Sequence, residues 1–187
     1  MINALLTLQQ DIFNYQDIQN KGEHPYLLNN DSNRVLFSPV GDLFAIYYYG
    51  AGYDDDSSIK AADLTEGYNF SFCALLDLLS EQKYADRVVS LIFDSPDEGA
   101  NGINDWNFTR LVNANVNFPN LEEFKVKLTD LGDHNTSLIN DDDGNDIITK
   151  LVAKMPSLVH LTIPSTPDDT FFSLEHRSLQ SMVVQAN

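Results

Sequence analysis

The sequence predicts an α/β protein: a solenoid with a parallel β-sheet on one face and helices on the other, closed at its N-terminal end by an α/β cap. Three observations carry that expectation. First, Phe118-Pro119-Asn120-Leu121-Glu122-Glu123-Phe124-Lys125-Val126 returns as Met155-Pro156-Ser157-Leu158-Val159-His160-Leu161-Thr162-Ile163. Both read apolar-Pro-polar-Leu-x-x-apolar-x-β-branched, and self-similarity at a period of tens of residues marks stacked repeats. Second, related openings stand at Val88, Leu121, Leu158 and Leu179, in steps of 33, 37 and 21 residues. Third, the two longer steps have room for a helix. Strands joined by such crossovers run parallel, because a hairpin needs only a few residues.

Taken in order, the chain begins with a weak amphipathic helix. Leu5, Leu8 and Ile12 fall at helical spacing, with Asn3 as a candidate N-cap. This segment is expected to cover the open end of the stack, where an apolar layer would otherwise meet water. Val35 to Gly50 is β material with a turn at Pro39-Val40-Gly41-Asp42, and Phe44, Ile46 and Tyr48 share one face. An acidic loop follows at Asp54-Asp55-Asp56. Phe70 to Gln82 reads as a helix that turns Leu75, Leu76, Leu78 and Leu79 inward, with Asn69 as its cap.

From there the pattern alternates strand and helix. Val88-x-x-Leu91-x-Phe93 is a strand; Asp105 to Val112, capped by Asn104, is a short helix burying Trp106 and Leu111. Leu121-x-x-Phe124-x-Val126 is the next strand. Asp146 to Met155 forms a helix capped by Asn145, with Ile147, Ile148, Leu151, Val152 and Met155 on its apolar side. Leu158-x-x-Leu161-x-Ile163 and Leu179-x-x-Met182-x-Val184 are the last strands. The whole chain, 1–187, reads as one domain: a cap with the first αβ unit over 1–83, then repeats over 84–187.

The chain has 187 residues, 43% of them hydrophobic, which suffices for a real core and excludes disorder. Its 28 acids against 11 bases leave a net charge of −17. That surface repels nucleic acid and anionic membrane and steers in basic partners. The single cysteine, Cys73, sits in an apolar run and reads as a buried thiol. The start lacks a basic n-region, and no apolar run reaches the length of a membrane span. A cytoplasmic location is the expectation.

The Leu-x-x-Leu-x-Leu-x-x-Asn sentence resembles that of the leucine-rich repeat. Leu179-x-x-Met182-x-Val184-x-x-Asn187 carries all four marks; the copies opening at Val88, Leu121 and Leu158 carry three, with Pro96, Thr129 and Thr166 at the Asn position. The long, helix-bearing steps resemble the ribonuclease-inhibitor-type members, and the chain is also similar to a group of poorly characterised bacterial leucine-rich-repeat proteins. The resemblance implies the solenoid, a concave sheet face that binds other proteins, and inhibition or immunity directed at a basic partner such as a nuclease.

Strand alternation places the residues between the apolar marks on the concave face. These are Ser90, Ile92 and Asp94; Glu123, Lys125 and Lys127; His160 and Thr162; and Ser181, Val183 and Gln185. Acids follow the strands at Asp97 and Glu98, at Asp141, Asp142 and Asp143, and at Asp168 and Asp169. Parallel strands all leave on one side, so these predict an acidic rim. An EF-hand register fails around Gly144, because it would put Ile139 at position 1 and Lys150 at position 12. His24, His134, His160 and His176 show no metal-ligand spacing. Neither a metal nor a cofactor is expected.

The favoured function is therefore a non-enzymatic protein-binding scaffold. The alternatives are a calcium-dependent structural or surface protein, or a small hydrolase using His160 with rim carboxylates. The last repeat leaves Leu179, Met182 and Val184 as a bare layer, for which truncation of a longer protein or a homodimer through the C-terminal end are the two accounts.

Overall fold

In the computed structural model a six-stranded sheet forms, in the order β1-β2-β3-β5-β7-β8. The residues described are 1–20, 33–50, 70–95, 104–128, 136–139 and 146–185. The strands of the large sheet are β1 (Arg34–Val40), β2 (Leu43–Tyr49), β3 (Val88–Asp94), β5 (Glu123–Val126), β7 (His160–Ile163) and β8 (Ser181–Val184). A second, two-stranded sheet pairs β4 (Asn104–Asn107) with β6 (Thr136–Ile139) in parallel. The helices are α1 (Ile2–Asn20), α2 (Phe70–Leu79), α3 (Gln82–Ala85), α4 (Thr109–Asn113) and α5 (Ile147–Val152).

β1 and β2 form a hairpin because Gly41-Asp42 closes it in two residues, and Gly41 has the positive φ of 61° that such tight turns require. From β2 onward every pairing in the large sheet is parallel, and Leu91, Phe124, Leu161 and Met182 stand in one register row. Leu91, Phe124 and Leu161 are buried on the helix side, and Met182 is half-buried there. The sequence expectation of co-directional neighbouring strands thus holds for the described residues.

Both copies of the repeated entry make the same turn. Phe118 and Met155 are buried, and the N–H of Leu121 and of Leu158 returns to their carbonyls at 3.3 and 3.1 Å. The polar residue just before each of the openings Leu121, Leu158 and Leu179 then reaches back to an earlier turn of the chain. Asn120 Nδ2 donates to Asp86 O at 2.8 Å, Ser157 Oγ to Pro119 O at 2.6 Å, and Ser178 Oγ to Pro156 O at 2.8 Å. Short polar side chains thus tie the entries to β5, β7 and β8 to earlier turns of the chain.

The core lies between the sheet and the helices. Its densest part is aromatic: Tyr48, Phe72, Phe93, Trp106, Phe108 and Phe124 are all buried. Phe93 meets Phe108 at 5.0 Å and Trp106 at 5.6 Å between ring centroids. Such tilted and edge-on pairs add to the stabilisation from area alone. Leu5, Leu8 and Ile12 of α1 are buried as their spacing predicts, and Gln9 Oε1 accepts the N–H of Val35 at 2.9 Å, so α1 lies along β1. The helix begins at Ile2, which puts Asn3 inside its first turn rather than at a cap.

Three helix boundaries differ from expectation. α2 ends at Leu79, where Ser80 turns its hydroxyl back to Leu76 O at 2.8 Å, and Gln82–Ala85 forms a separate turn. The predicted helix over 105–112 starts only at Thr109. Asn104–Asn107 is a strand held by β6, Trp106 enters the aromatic cluster from it, and Asn107 Oδ1 accepts the Thr109 N–H at 3.0 Å to begin α4. A four-residue parallel strand gives no long alternation to read, so pairing with a distant segment overrides the local helical pattern. The helix predicted over 146–155 ends at Val152, where the Met155 N–H turns back to Val152 O at 2.9 Å, but its apolar residues Ile147, Ile148, Leu151 and Val152, and Met155 just beyond, are all buried. Asn69 and Asn145, expected as caps, lie outside the described residues.

Candidate functional site

The large sheet has one face packed on the core and one face open. Alternation turns the odd-numbered residues of β2 outward, and strand pairing lines them up across the sheet in three rows. The first runs Ser38, Ala45, Ser90, Glu123, His160, Ser181; the second runs Leu36, Tyr47, Ile92, Lys125, Thr162, Val183. The third begins Arg34, Tyr49, Asp94 and continues at the strand ends toward Lys127 and Gln185. Every residue predicted for the concave face, from Ser90 to Gln185, is half-buried or exposed and none is in the core.

Within these rows the side chains form specific contacts. Ser90 Oγ donates to Glu123 Oε2 at 2.7 Å, and His160 Nδ1 lies 3.0 Å from Ser181 Oγ. Thus two hydrogen-bonded pairs stand side by side across four strands. Asp94 is held from both sides: Tyr47 Oη donates to its Oδ2 at 2.6 Å, and Lys127 Nζ is 3.0 Å from its Oδ1. Partial burial and the hydrogen bond to the neighbouring carboxylate push the Tyr47 phenol up to about 12, because ionisation would place a second negative charge beside Asp94. The guanidinium of Arg34 sits 5.1 Å from the centre of the Tyr49 ring.

Six residues of this face, Arg34, Leu36, Ser38, Ala45, Tyr47 and Tyr49, are missed when only the four strands from β3 to β8 are counted, and Arg34, Leu36, Tyr47 and Tyr49 matter most. The signal was present: once Phe44, Ile46 and Tyr48 share the inner face, the residues between them must point out. They change its character, since tyrosine and arginine are the side chains most enriched where binding energy concentrates. Leu36 is exposed beside Tyr47, so the N-terminal half of the face is aromatic and apolar. The half formed by β7 and β8 carries His160, Thr162, Ser181, Val183 and Gln185 and no carboxylate.

Of the predicted rim, Asp97, Glu98, Asp141, Asp142 and Asp143 lie outside the described residues, as do Asp54-Asp55-Asp56. Asp169 is exposed. Asp168 serves the fold instead. Its Oδ1 accepts the Thr170 hydroxyl at 2.6 Å, the N–H groups of Thr170 and Phe171 at 2.9 and 3.1 Å, and the Thr149 hydroxyl at 3.2 Å. These donors, the Thr170 hydroxyl foremost, outweigh desolvation and hold its carboxyl below the ordinary aspartate value. It fastens the 3₁₀ turn Phe171–Ser173 to α5 rather than standing free on a rim. Asp146 Oδ1 likewise pairs with Lys150 Nζ one turn along at 3.0 Å. Among the described residues no three His, Cys, Asp or Glu side chains gather as a metal site. No helix of the described residues is long and apolar enough to cross a membrane.

The chain was compared with protein-family models, curated proteins and solved structures, and none matches it.

Proposed function

We propose that this chain is a non-enzymatic protein-binding scaffold of stacked, leucine-rich-repeat-like units that engages a basic protein through its open sheet face and acidic loops. The observation that carries this reading is the open face itself. Six strands present side by side a row that includes Leu36, Tyr47, Ile92 and Val183, two hydrogen-bonded polar pairs, and a Glu123 carboxylate that accepts the Ser90 hydroxyl. The net charge of −17 favours a cationic partner at long range, and Leu36, Tyr47, Tyr49 and Ile92 supply apolar area for close contact. The in-register stacking and the Asn120, Ser157 and Ser178 stitches support the repeat reading. An inhibitor or immunity-type role against a basic enzyme fits this surface and would place the protein in a reduced, cytoplasmic compartment.

The test is titration against a basic ribonuclease, cytochrome c and lysozyme at roughly 20 and 150 mM salt, which span a strong change in screening. Binding should weaken with salt. Glu123→Lys should weaken it several-fold more than Asp11→Lys, an equal change of net charge on the exposed side of α1. Equal effects of the two variants, or indifference to salt, would show that the face does not carry the binding.

The 3.0 Å contact between His160 and Ser181, with Glu123 the register partner of His160 on the other side, favours one second reading, a small hydrolase. Both side chains are exposed and sit on a sheet whose ladder occupies the backbone N–H groups beneath them. An oxyanion there would lack the converging donors that acyl transfer requires. Ester hydrolysis lost on Ser181→Ala would restore this reading.

A further inference from the structure

Of the 11 Lys and Arg residues in this acidic chain, Lys21 and Lys60 lie outside the described residues. Eight of the other nine are engaged: five meet a carboxylate, two donate to a backbone carbonyl, and the guanidinium of Arg34 lies over the Tyr49 ring. With 28 acids in the sequence, such pairing is what composition favours. Lys125 is the exception. Among the described bases it alone has no ion pair, hydrogen bond or ring contact from its side chain.

Lys125 is half-buried on β5, with strands on both sides, and its register partners on the open face are Ile92 of β3 and Thr162 of β7. Both carboxylates of this face are engaged with other groups. Asp94 is held by Tyr47 and Lys127, and Glu123, two residues along β5, accepts the Ser90 hydroxyl on the β3 side. The β7–β8 half offers the Thr162 and Ser181 hydroxyls and the His160 ring but no acid. A half-buried ammonium is less screened by water than a fully exposed one, so an anion gains more from it. Adjacent strands stand about 4.8 Å apart, so one carboxylate can accept from the Lys125 ammonium and the Thr162 hydroxyl together. Ile92 gives the β3 side of that position an apolar wall.

We infer that Lys125 and Thr162 form a carboxylate-binding subsite at the centre of the open face, which takes an Asp or Glu side chain of the protein partner. The inference rests on the protein-binding reading and narrows it. A basic partner must set one acidic residue over Lys125, although the chain as a whole repels acids. Net charge alone attracts cationic proteins indiscriminately. A single site of the opposite sign selects among them, because a partner that brings a cation or an apolar group there leaves the ammonium covered and unpaired.

Two pentapeptides test it, Ac-Lys-Val-Glu-Val-Lys-amide and Ac-Lys-Val-Gln-Val-Lys-amide, titrated into the millimolar range against the isotope-labelled full chain by NMR at about 150 mM salt. General attraction to a net charge of −17 favours the glutamine peptide, which carries one more positive charge. The subsite reverses that order. The glutamate peptide should bind about three- to tenfold tighter and shift the signals of Lys125 and Thr162. Lys125→Gln should hand the advantage to the glutamine peptide, Lys125→Arg should keep the preference for glutamate, and Thr162→Val should reduce it. No saturable shift with either peptide, a glutamine peptide bound as tightly as the glutamate one, or a glutamate preference that survives Lys125→Gln would each overturn the inference. Basic proteins that bind the parent chain and Lys125→Gln equally would remove the subsite and leave the scaffold reading standing. Glutamate preference with no basic protein bound would keep the subsite and remove the basic partner.

Discussion

Gly50 ties the open face to the core, and replacing it with alanine probes both. It is buried at the end of β2 with φ of +150°, and its N–H donates to Asp94 O at 2.9 Å, so it extends the β2–β3 pairing past the Tyr47–Asp94 contact. A methyl group there would collide with the Asn33 side chain and lie 2.7 Å from the Tyr48 hydroxyl. Tyr48 is fully buried within the aromatic cluster and cannot swing away. The unfavourable φ costs about 1–3 kcal/mol. Overpacking against Tyr48 and Asn33 adds about 1–3 kcal/mol. Gly50→Ala should therefore lose about 2–6 kcal/mol, measured by urea unfolding followed by circular dichroism, with a Tm lower by roughly 5–20 °C. It should also shift Asp94 relative to Tyr47, so that the Tyr47 phenol ionises closer to its ordinary value in an absorbance titration at 295 nm. A variant within about 0.5 kcal/mol of the parent and an unchanged Tyr47 titration would contradict this account of Gly50.

Two further outcomes follow. Because the folded protein holds the Tyr47 phenol at about 12 against an ordinary 10, stability from this group is complete below pH 10 and is lost as pH rises from 10 through 12. Tyr47→Phe should remove that part of the alkaline loss in denaturant midpoints taken between pH 9 and 12; an identical alkaline profile would show that the Asp94 contact does not govern the titration. Phe93→Ala empties the centre of the aromatic cluster, where Phe93 touches Tyr48, Phe72, Trp106, Phe108 and Phe124. It should cost about 3–5 kcal/mol in chemical unfolding. A loss under about 1 kcal/mol would mean that the cluster is not the packed unit described.

Much of the architecture was legible because it is written in short-range periodicity. The marks at Leu91, Phe124, Leu161 and Met182 located four strands whose mutual register the structure bears out. The apolar stripe of α5 and the buried trio of α1 were equally plain, since burial of one helix face demands that spacing whatever lies opposite. The outward-facing residues of those four strands followed from alternation alone. What escaped were features requiring two distant segments at once. The β4–β6 sheet joins residues about thirty positions apart through strands too short to carry a pattern of their own. The Tyr47–Asp94–Lys127 contact spans three strands, and the carboxylate of Asp168 is occupied by Thr149 and Thr170 in a way that no count of acids reveals.

The order of residues along the chain dictates which of them are apolar at which spacing. That was enough to specify the strand positions of the large sheet, the buried helix faces and the sign of the net charge, because each is read from composition or from neighbours within a turn or a pleat. It took the assembled fold to show that β1 and β2 extend the strands β3, β5, β7 and β8 into a single face, and that Asn120, Ser157 and Ser178 bond back to Asp86, Pro119 and Pro156. Those outcomes depend on which backbone groups remain after every strand has chosen its partner, and partner choice is made by packing across the whole core.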